Sequence, residues 1–227
     1  MKNTLLITAI TVAFSGQAIA ESVFQGFYGQ ISAGYESTDV SNKSGIVNNG
    51  VAIFHQGKDM TADGIDLVLG TGYNFTISDK FLIGIGGDWS AFNHTTNLST
   101  YTRTGGTINI NNKVSDRYSV FITPSYSIDK DKLVYFKVGF SSQTVNGVIQ
   151  TPTNHYFGQS SGKASLSGYV LGVGYKQVIA GGLYGFGEGN WYDYSKSKTN
   201  TLFGDYTLSS NPSAYTYTLT AGVGYNF

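Results

Sequence analysis

The sequence predicts an all-β chain closed into an eight-stranded antiparallel up-and-down transmembrane β-barrel, and three observations predict it. Apolar and polar residues alternate with period two along a series of short segments, as they do in strands that have only one face in an apolar environment. Two sets of four aromatic residues recur at intervals near fifty residues. The connections between segments alternate strictly between short and long.

The repeat is visible in the segments LGTGYNF (69–75), TPSYSI (123–128), LGVGYKQ (171–177) and AGVGYNF (221–227). Their tyrosines, Tyr73, Tyr126, Tyr175 and Tyr225, stand 53, 49 and 50 residues apart. A second set, Tyr35, Trp89, Phe140 and Trp191, has separations of 54, 51 and 51. Two interleaved sets of four imply four hairpins, hence eight strands.

The first twenty residues have the pattern of a secretory signal peptide: Lys2 gives the charged start, Leu5 to Phe14 the apolar run, and Ala18-Ile19-Ala20 a small-x-small cleavage site. The expected plan is a cleaved signal peptide over 1–20 and an outer-membrane barrel domain over 21–227, which is 207 of the 227 residues. The apolar run is shorter than the roughly 20 residues of a spanning helix, and no later stretch reaches that length. Insertion therefore has to be by strands.

Strand by strand, one face reads Phe27, Ile31, Ala33, Tyr35, then Ile65, Leu67, Leu69, Tyr73, Phe75, then Phe81, Ile83, Ile85, Trp89. The fourth strand continues with Tyr118, Val120, Ile122, Tyr126, Ile128 and the fifth with Val134, Phe136, Val138, Phe140. Tyr169, Leu171, Val173, Tyr175 mark the sixth, and Tyr215, Tyr217, Leu219, Val223, Tyr225, Phe227 the eighth. The seventh, LYGFGEGNWYDY, is ambiguous; placing Trp191 at the girdle spacing turns Glu188 inward.

In a soluble sandwich this apolar face would point into a core; in a membrane barrel it meets lipid while the polar face lines the interior. The aromatics lie at both ends of the apolar faces, where interfacial girdles belong. Tyr73, Tyr126, Tyr175 and Tyr225 form the expected periplasmic girdle, and Tyr35, Trp89, Phe140 and Trp191 the external one. Connections at 76–80, 129–132 and 177–182 are short, whereas those at 36–63, 92–116, 142–167 and 195–212 are long, an asymmetry of periplasmic turns and external loops.

The closing Tyr225-Asn226-Phe227, the GxGY strand ends and the signal peptide resemble the small outer-membrane β-barrel proteins of the opacity and porin-like kind, over the whole mature chain. The resemblance implies that Tyr225 and Phe227 are read as an assembly signal by the barrel assembly machinery of a Gram-negative outer membrane. Outer-membrane lipid and lipopolysaccharide are then the expected surroundings. No second domain is expected after the barrel, and so no peptidoglycan tether.

A charge facing hydrocarbon at the midplane costs about 2–4 kcal/mol for Lys or Arg, so mid-strand charges belong inside. Asp66, Asp88, Arg117 and Lys137 all fall on the inward parity. Asp88, Arg117, Lys137 and Glu188 are the expected lumen cluster, and in a narrow dry interior they have to pair. Small lumen residues such as Gly72, Gly174 and Gly224 should face Tyr28, Tyr135, Tyr184 and Phe186. Eight strands leave room for side chains or one small ligand. Pro124 lacks a ladder donor, and a local bulge is expected there.

Composition excludes other classes. With 14 Lys+Arg against 14 Asp+Glu there is no electrostatic case for nucleic acid, and without cysteine there is no disulfide framework or thiolate metal site. Gly158-Gln159-Ser160-Ser161-Gly162 matches the G-x-S-x-G pattern but lacks the strand-to-helix elbow that it needs. His55, His94 and His155 fall in three loops with no metal-ligand spacing, and no metal, cofactor or catalytic residue is expected. Lipid A deacylase barrels carry a His-x-Ser pair, from which His94-Thr95-Thr96 departs; palmitoyltransferase barrels use an Asp-Ser pair, which this chain lacks.

Three readings of function remain open from sequence. The first is a non-enzymatic structural or surface-interaction barrel with a packed, salt-bridged lumen and an adhesin-like use of its external loops, for example a hairpin around Gly105-Gly106 and another at Val145–Val148. The second is a narrow channel for small solutes or ions. The third is a lipid-modifying enzyme.

Overall fold

In the computed structural model, which describes residues 22–48, 51–55, 60–97, 99–103, 106–150, 160–195, 199–203 and 206–227, the chain is antiparallel β-sheet closed on itself. Eight long strands form the wall: β1 (Gly26–Asn48), β3 (Met60–Thr76), β4 (Phe81–Ser90), β7 (Gly106–Asp129), β8 (Lys132–Gln150), β9 (Ser160–Ala180), β10 (Leu183–Tyr194) and β12 (Tyr206–Asn226). Four short strands, β2 (Val51–His55), β5 (His94–Thr95), β6 (Ser99–Arg103) and β11 (Thr199–Phe203), extend it at one end. Each wall strand pairs with its sequence neighbour in the wall, and β12 pairs with β1 from Tyr28↔Asn226 to Asn48↔Tyr206. No wall edge is left in the belt, as a lipid setting demands, because an unpaired backbone group there has no water to bond. The signal-peptide expectation over 1–20 lies outside the described residues.

The outward face is the apolar one along every wall strand. Phe27, Ile65, Ile85, Val120, Val173 and Leu219 are all more than half exposed, while the inward neighbours Tyr28, Asp66, Ser119 and Thr220 are buried. In the seventh wall strand, β10, Trp191 faces out and Glu188 in. The alternation read from sequence therefore sets the inside and outside correctly around the whole ring.

Two expectations are corrected. The long connections are mostly strand: β1 runs on to Asn48, β8 to Gln150, and β9 and β12 begin at Ser160 and Tyr206. A span needs about 9–11 residues, yet β1 has 23 and β7 has 24. The surplus stands beyond the girdle, where the outward face turns polar at Ser37, Asp39, Asp63 and Ser165 and the inward face apolar at Val40, Ala62, Val114 and Leu166, so the apolar outer stripe ends there. The second correction concerns Pro124. The ladder between β7 and β8 lapses over Thr123 and Pro124 but resumes in register, with Ile122↔Val138 and Ser125↔Tyr135 on either side. Omitting one stretch of bonds costs less than displacing a whole strand, so no bulge forms there.

Register shifts in β7 lie instead near the turn, between Ser127 and Asp129, and at Asp116 and Arg117, which together oppose Gln143. Asp116 takes a left-handed φ of 55°, which absorbs the extra residue. This changes the parity, so that Val114 and Arg117, three apart, both point into the barrel. At the other end the turns are tight: Gly181, at φ 56°, begins the two-residue link from β9 to β10.

Candidate functional site in the barrel lumen

The lumen is filled in layers. At the end with the tight turns, the segment before β1 folds across the opening and inserts Phe24, which is 1% exposed and packs edge-on against Tyr184 at 6.2 Å. Asn74 Nδ2 donates to the Phe24 carbonyl at 2.7 Å and Asn226 Nδ2 to the Gln25 carbonyl, tying this stopper to β3 and β12. Leu82, Leu133 and Phe186 complete the layer.

Above it, the Lys176 ammonium lies 4.3 Å from the Tyr28 ring centre, 4.7 Å from that of Tyr184 and 5.4 Å from that of Tyr135. The rings offer their negative faces to a cation that forms no ion pair among the described residues. Glycines make room for these rings: a Cβ on Gly174 would overlap Tyr135, and one on Gly224 would overlap Tyr184. The cavity left here between Gln30, Phe121 and Lys176 measures about 10 Å³, one water at most.

The next layer is ionic. Lys137 Nζ donates to Asp88 Oδ2 at 2.8 Å and to Glu188 Oε1 at 2.7 Å, while Tyr135 Oη and Asn190 Nδ2 donate to Glu188 at 2.7 and 2.9 Å. A second ionic layer follows, in which Arg117 Nη2 donates to Asp66 and stands in an ion pair with Glu36 Oε2 at 2.8 Å. Ser90 Oγ donates to Asp66 at 2.6 Å, and the guanidinium lies 4.7 Å over the Tyr192 ring. Beyond it, Val40, Ala62, Val114, Val145, Leu166 and Ala214 close the far end with an apolar plug. Four inward carboxylates thus pair with two buried cations, Lys137 and Arg117.

The four lumen charges expected from sequence therefore divide into two networks. Asp88, Lys137 and Glu188 meet one another; Arg117 turns to Glu36 and Asp66. The inward parity of Asp66 is legible in the sequence, but that of Glu36 is not, because it falls past Tyr35 in the expected long connection over 36–63. His94, expected in a solvated loop, is buried: the two-residue strand β5 pins it beside Val114. His55 lies in β2 and its side chain, like residue 155, is outside the described part. Of the G-x-S-x-G match, Ser160 to Gly162 lie in the strand β9 and positions 158 and 159 are outside the described residues.

All eight girdle positions face outward. Tyr126, Tyr175 and Tyr225 are exposed near the tight turns and Tyr73 is half-buried beside Phe27, with ring centres 4.7 Å apart. At the other level Tyr35, Trp89, Phe140 and Trp191 are exposed. The last three each have an aromatic ladder partner that the repeat did not reveal: Trp89↔Tyr118, Phe140↔Tyr169 and Trp191↔Tyr217. From Tyr225 to Tyr217 the belt covers about 26 Å along the strand, a height suited to the apolar band of an outer-membrane barrel.

A closed antiparallel ring with an apolar exterior, two aromatic levels and a charged interior defines the class: this is the small outer-membrane β-barrel fold. Among solved structures it is similar to the outer membrane protein OprG from Pseudomonas aeruginosa, with a TM-score of 0.55 at 16% identity over 89% of this chain and 96% of that one. It is also similar to the outer membrane protease OmpT from Escherichia coli, with a TM-score of 0.54 at 12% identity over 92% and 99%. No family model and no curated protein matches the sequence. At these identities the likeness concerns the fold.

Proposed function

We propose that this chain is a non-enzymatic outer-membrane barrel, exported by its signal peptide, that acts as a structural and surface-interaction protein with a closed lumen. The observation that carries this reading is the continuous filling of the interior, from Phe24 through two ionic layers to the plug around Val145. A channel needs a wet path, and the lumen cavity between Gln30, Phe121 and Lys176, below the ionic layers, has room for about one water. What the chain offers to partners is then its outside: an apolar belt for lipid and lipopolysaccharide, and the strands that rise beyond the girdle. Phe227, 82% exposed just past β12, is open to being read by the assembly machinery.

OmpT is a protease, so an enzyme on this fold has to be weighed. Here the acids beside His94, Glu36 and Asp66, are ion-paired with Arg117 and buried, a setting that favours structure over attack on a large substrate. Liposome swelling tests the closed reading: vesicles carrying the refolded barrel should resist small sugars as empty vesicles do. Swelling in proportion to the amount of protein would overturn it. Mass spectrometry of lipid A from expressing cells, expected unchanged, tests the non-enzymatic part.

A further inference from the structure

Three segments far apart in sequence bring two carboxylates and an imidazole to one buried point. Glu36 on β1 is the ladder partner of Gly64 on β3, and Asp66 is the next inward residue of β3. His94 lays its ring over Gly64, where a Cβ would come within 2.5 Å of Nδ1 and 2.8 Å of Cε1. The imidazole thus occupies the space beside the two acids that a side chain at position 64 would take. One ligand atom from each of Glu36, Asp66 and His94 lies within 4.8 Å of the other two.

All three side chains are more than nine-tenths buried, and His94 Nε2 has no hydrogen-bond partner among the described residues. Buried polar atoms in folded proteins are almost always paired, so an imidazole nitrogen held in this way calls for an explanation. Close by, the second guanidinium nitrogen of Arg117, Nη1, is also without a partner.

We infer that Glu36, Asp66 and His94 form a binding site for a divalent transition-metal ion of the zinc type, and that Arg117 is the resident counter-charge which the ion displaces. One imidazole and two carboxylates, with a fourth position open, are a ligand set that zinc accepts. Around a tetrahedral ion with bonds of about 2.1 Å, ligand atoms stand about 3.4 Å apart. Rotation of the side chains therefore has to close at most about 1.4 Å. Arg117 reaches both acids through the same nitrogen, Nη2, so one movement releases both. The guanidinium then keeps its place over Tyr192. The two carboxylates neutralise a dication, where they now exceed the single charge of Arg117.

The test uses the full chain purified from outer membranes, titrated with Zn²⁺ by calorimetry and followed by thermal unfolding. The wild type should bind one Zn²⁺ and melt at a higher temperature with it. The chain has three histidines, so the double variant His55→Ala, His155→Ala is the control and should bind as the wild type does. His94→Gln should abolish binding. Gly64→Ala, which moves the imidazole without removing it, should weaken binding about tenfold or more. Arg117→Gln should bind more tightly than the wild type and recover with Zn²⁺ part of the stability that it loses without it. Should His94→Gln fail to fold, Gly64→Ala and the visible spectrum of Co²⁺ in the wild type carry the test. Equal binding by His94→Gln, or an Arg117→Gln variant whose melting is indifferent to Zn²⁺, would overturn the inference.

Discussion

Lys137 and Glu188 meet at 2.7 Å across the interior although their strands, β8 and β10, are not neighbours. The strand between them, β9, presents Gly172 opposite Lys137 and Gly174 opposite Glu188. With no side chain in the way, the ammonium reaches over β9 and takes Asp88 on β4 as well. Three strands are thereby cross-linked by one cation that is 1% exposed.

Lys137→Ala should leave two buried acids without their cation. Breaking a buried pair by removing one partner costs about 3–5 kcal/mol. Urea unfolding of the refolded barrel, followed by tryptophan fluorescence, should show a loss of that size. An unchanged midpoint would mean that the network does not hold the wall together.

Gly174→Ala and Gly187→Ala place the same methyl on opposite faces of the wall. At 174 it would overlap the Tyr135 ring, whereas at 187 the nearest atom is 3.9 Å away. Overpacking costs about 1–3 kcal/mol, and a surface change without such features stays within about 0.5 kcal/mol. The same unfolding measurement should separate the two, and equal effects would contradict the packed lumen.

Phe24→Ala removes the stopper at the turn end. The loss of a buried phenylalanine should cost about 3 kcal/mol. Passage should remain blocked, because Tyr184, Tyr135 and Lys176 lie directly above. A variant that is less stable and still closed fits the layered interior, and one that admits sugars in liposome swelling does not.

Ile122→Arg tests which face meets lipid. Ile122 points outward midway between Tyr118 and Tyr126 on β7. An arginine at the midplane should cost about 2–4 kcal/mol for folding into vesicles. A cost near zero would put this face in water.

The features legible in the sequence were those set by strand parity. Because side chains alternate with period two, a correct reading of Trp191 fixed Glu188 inside, and that of Ile122 fixed Thr123 inside. What parity could not give was the level at which inward charges meet. Arg117, inward by parity, meets Glu36 and Asp66 across the lumen, whereas the bulge at Asp116 turns Val114 inward, and neither a left-handed aspartate nor its bulge has a local sequence signal. Glu36 lies past the girdle, where the outward face becomes polar and the apolar outer stripe that marks the strand from sequence stops. His94 was missed for another reason. Its neighbours in space, Gly64 and Asp66, are brought to it by the closing of β3 onto β1 and β4, a long-range event that spacing does not encode.

Single-channel recording on the purified wild-type barrel in a planar bilayer tests the closed lumen most directly. Current is expected to stay at the baseline of the protein-free membrane over the full voltage range, since the stopper, the two ionic layers and the apolar plug block the same path in series. Reproducible ion steps from the wild type would contradict it.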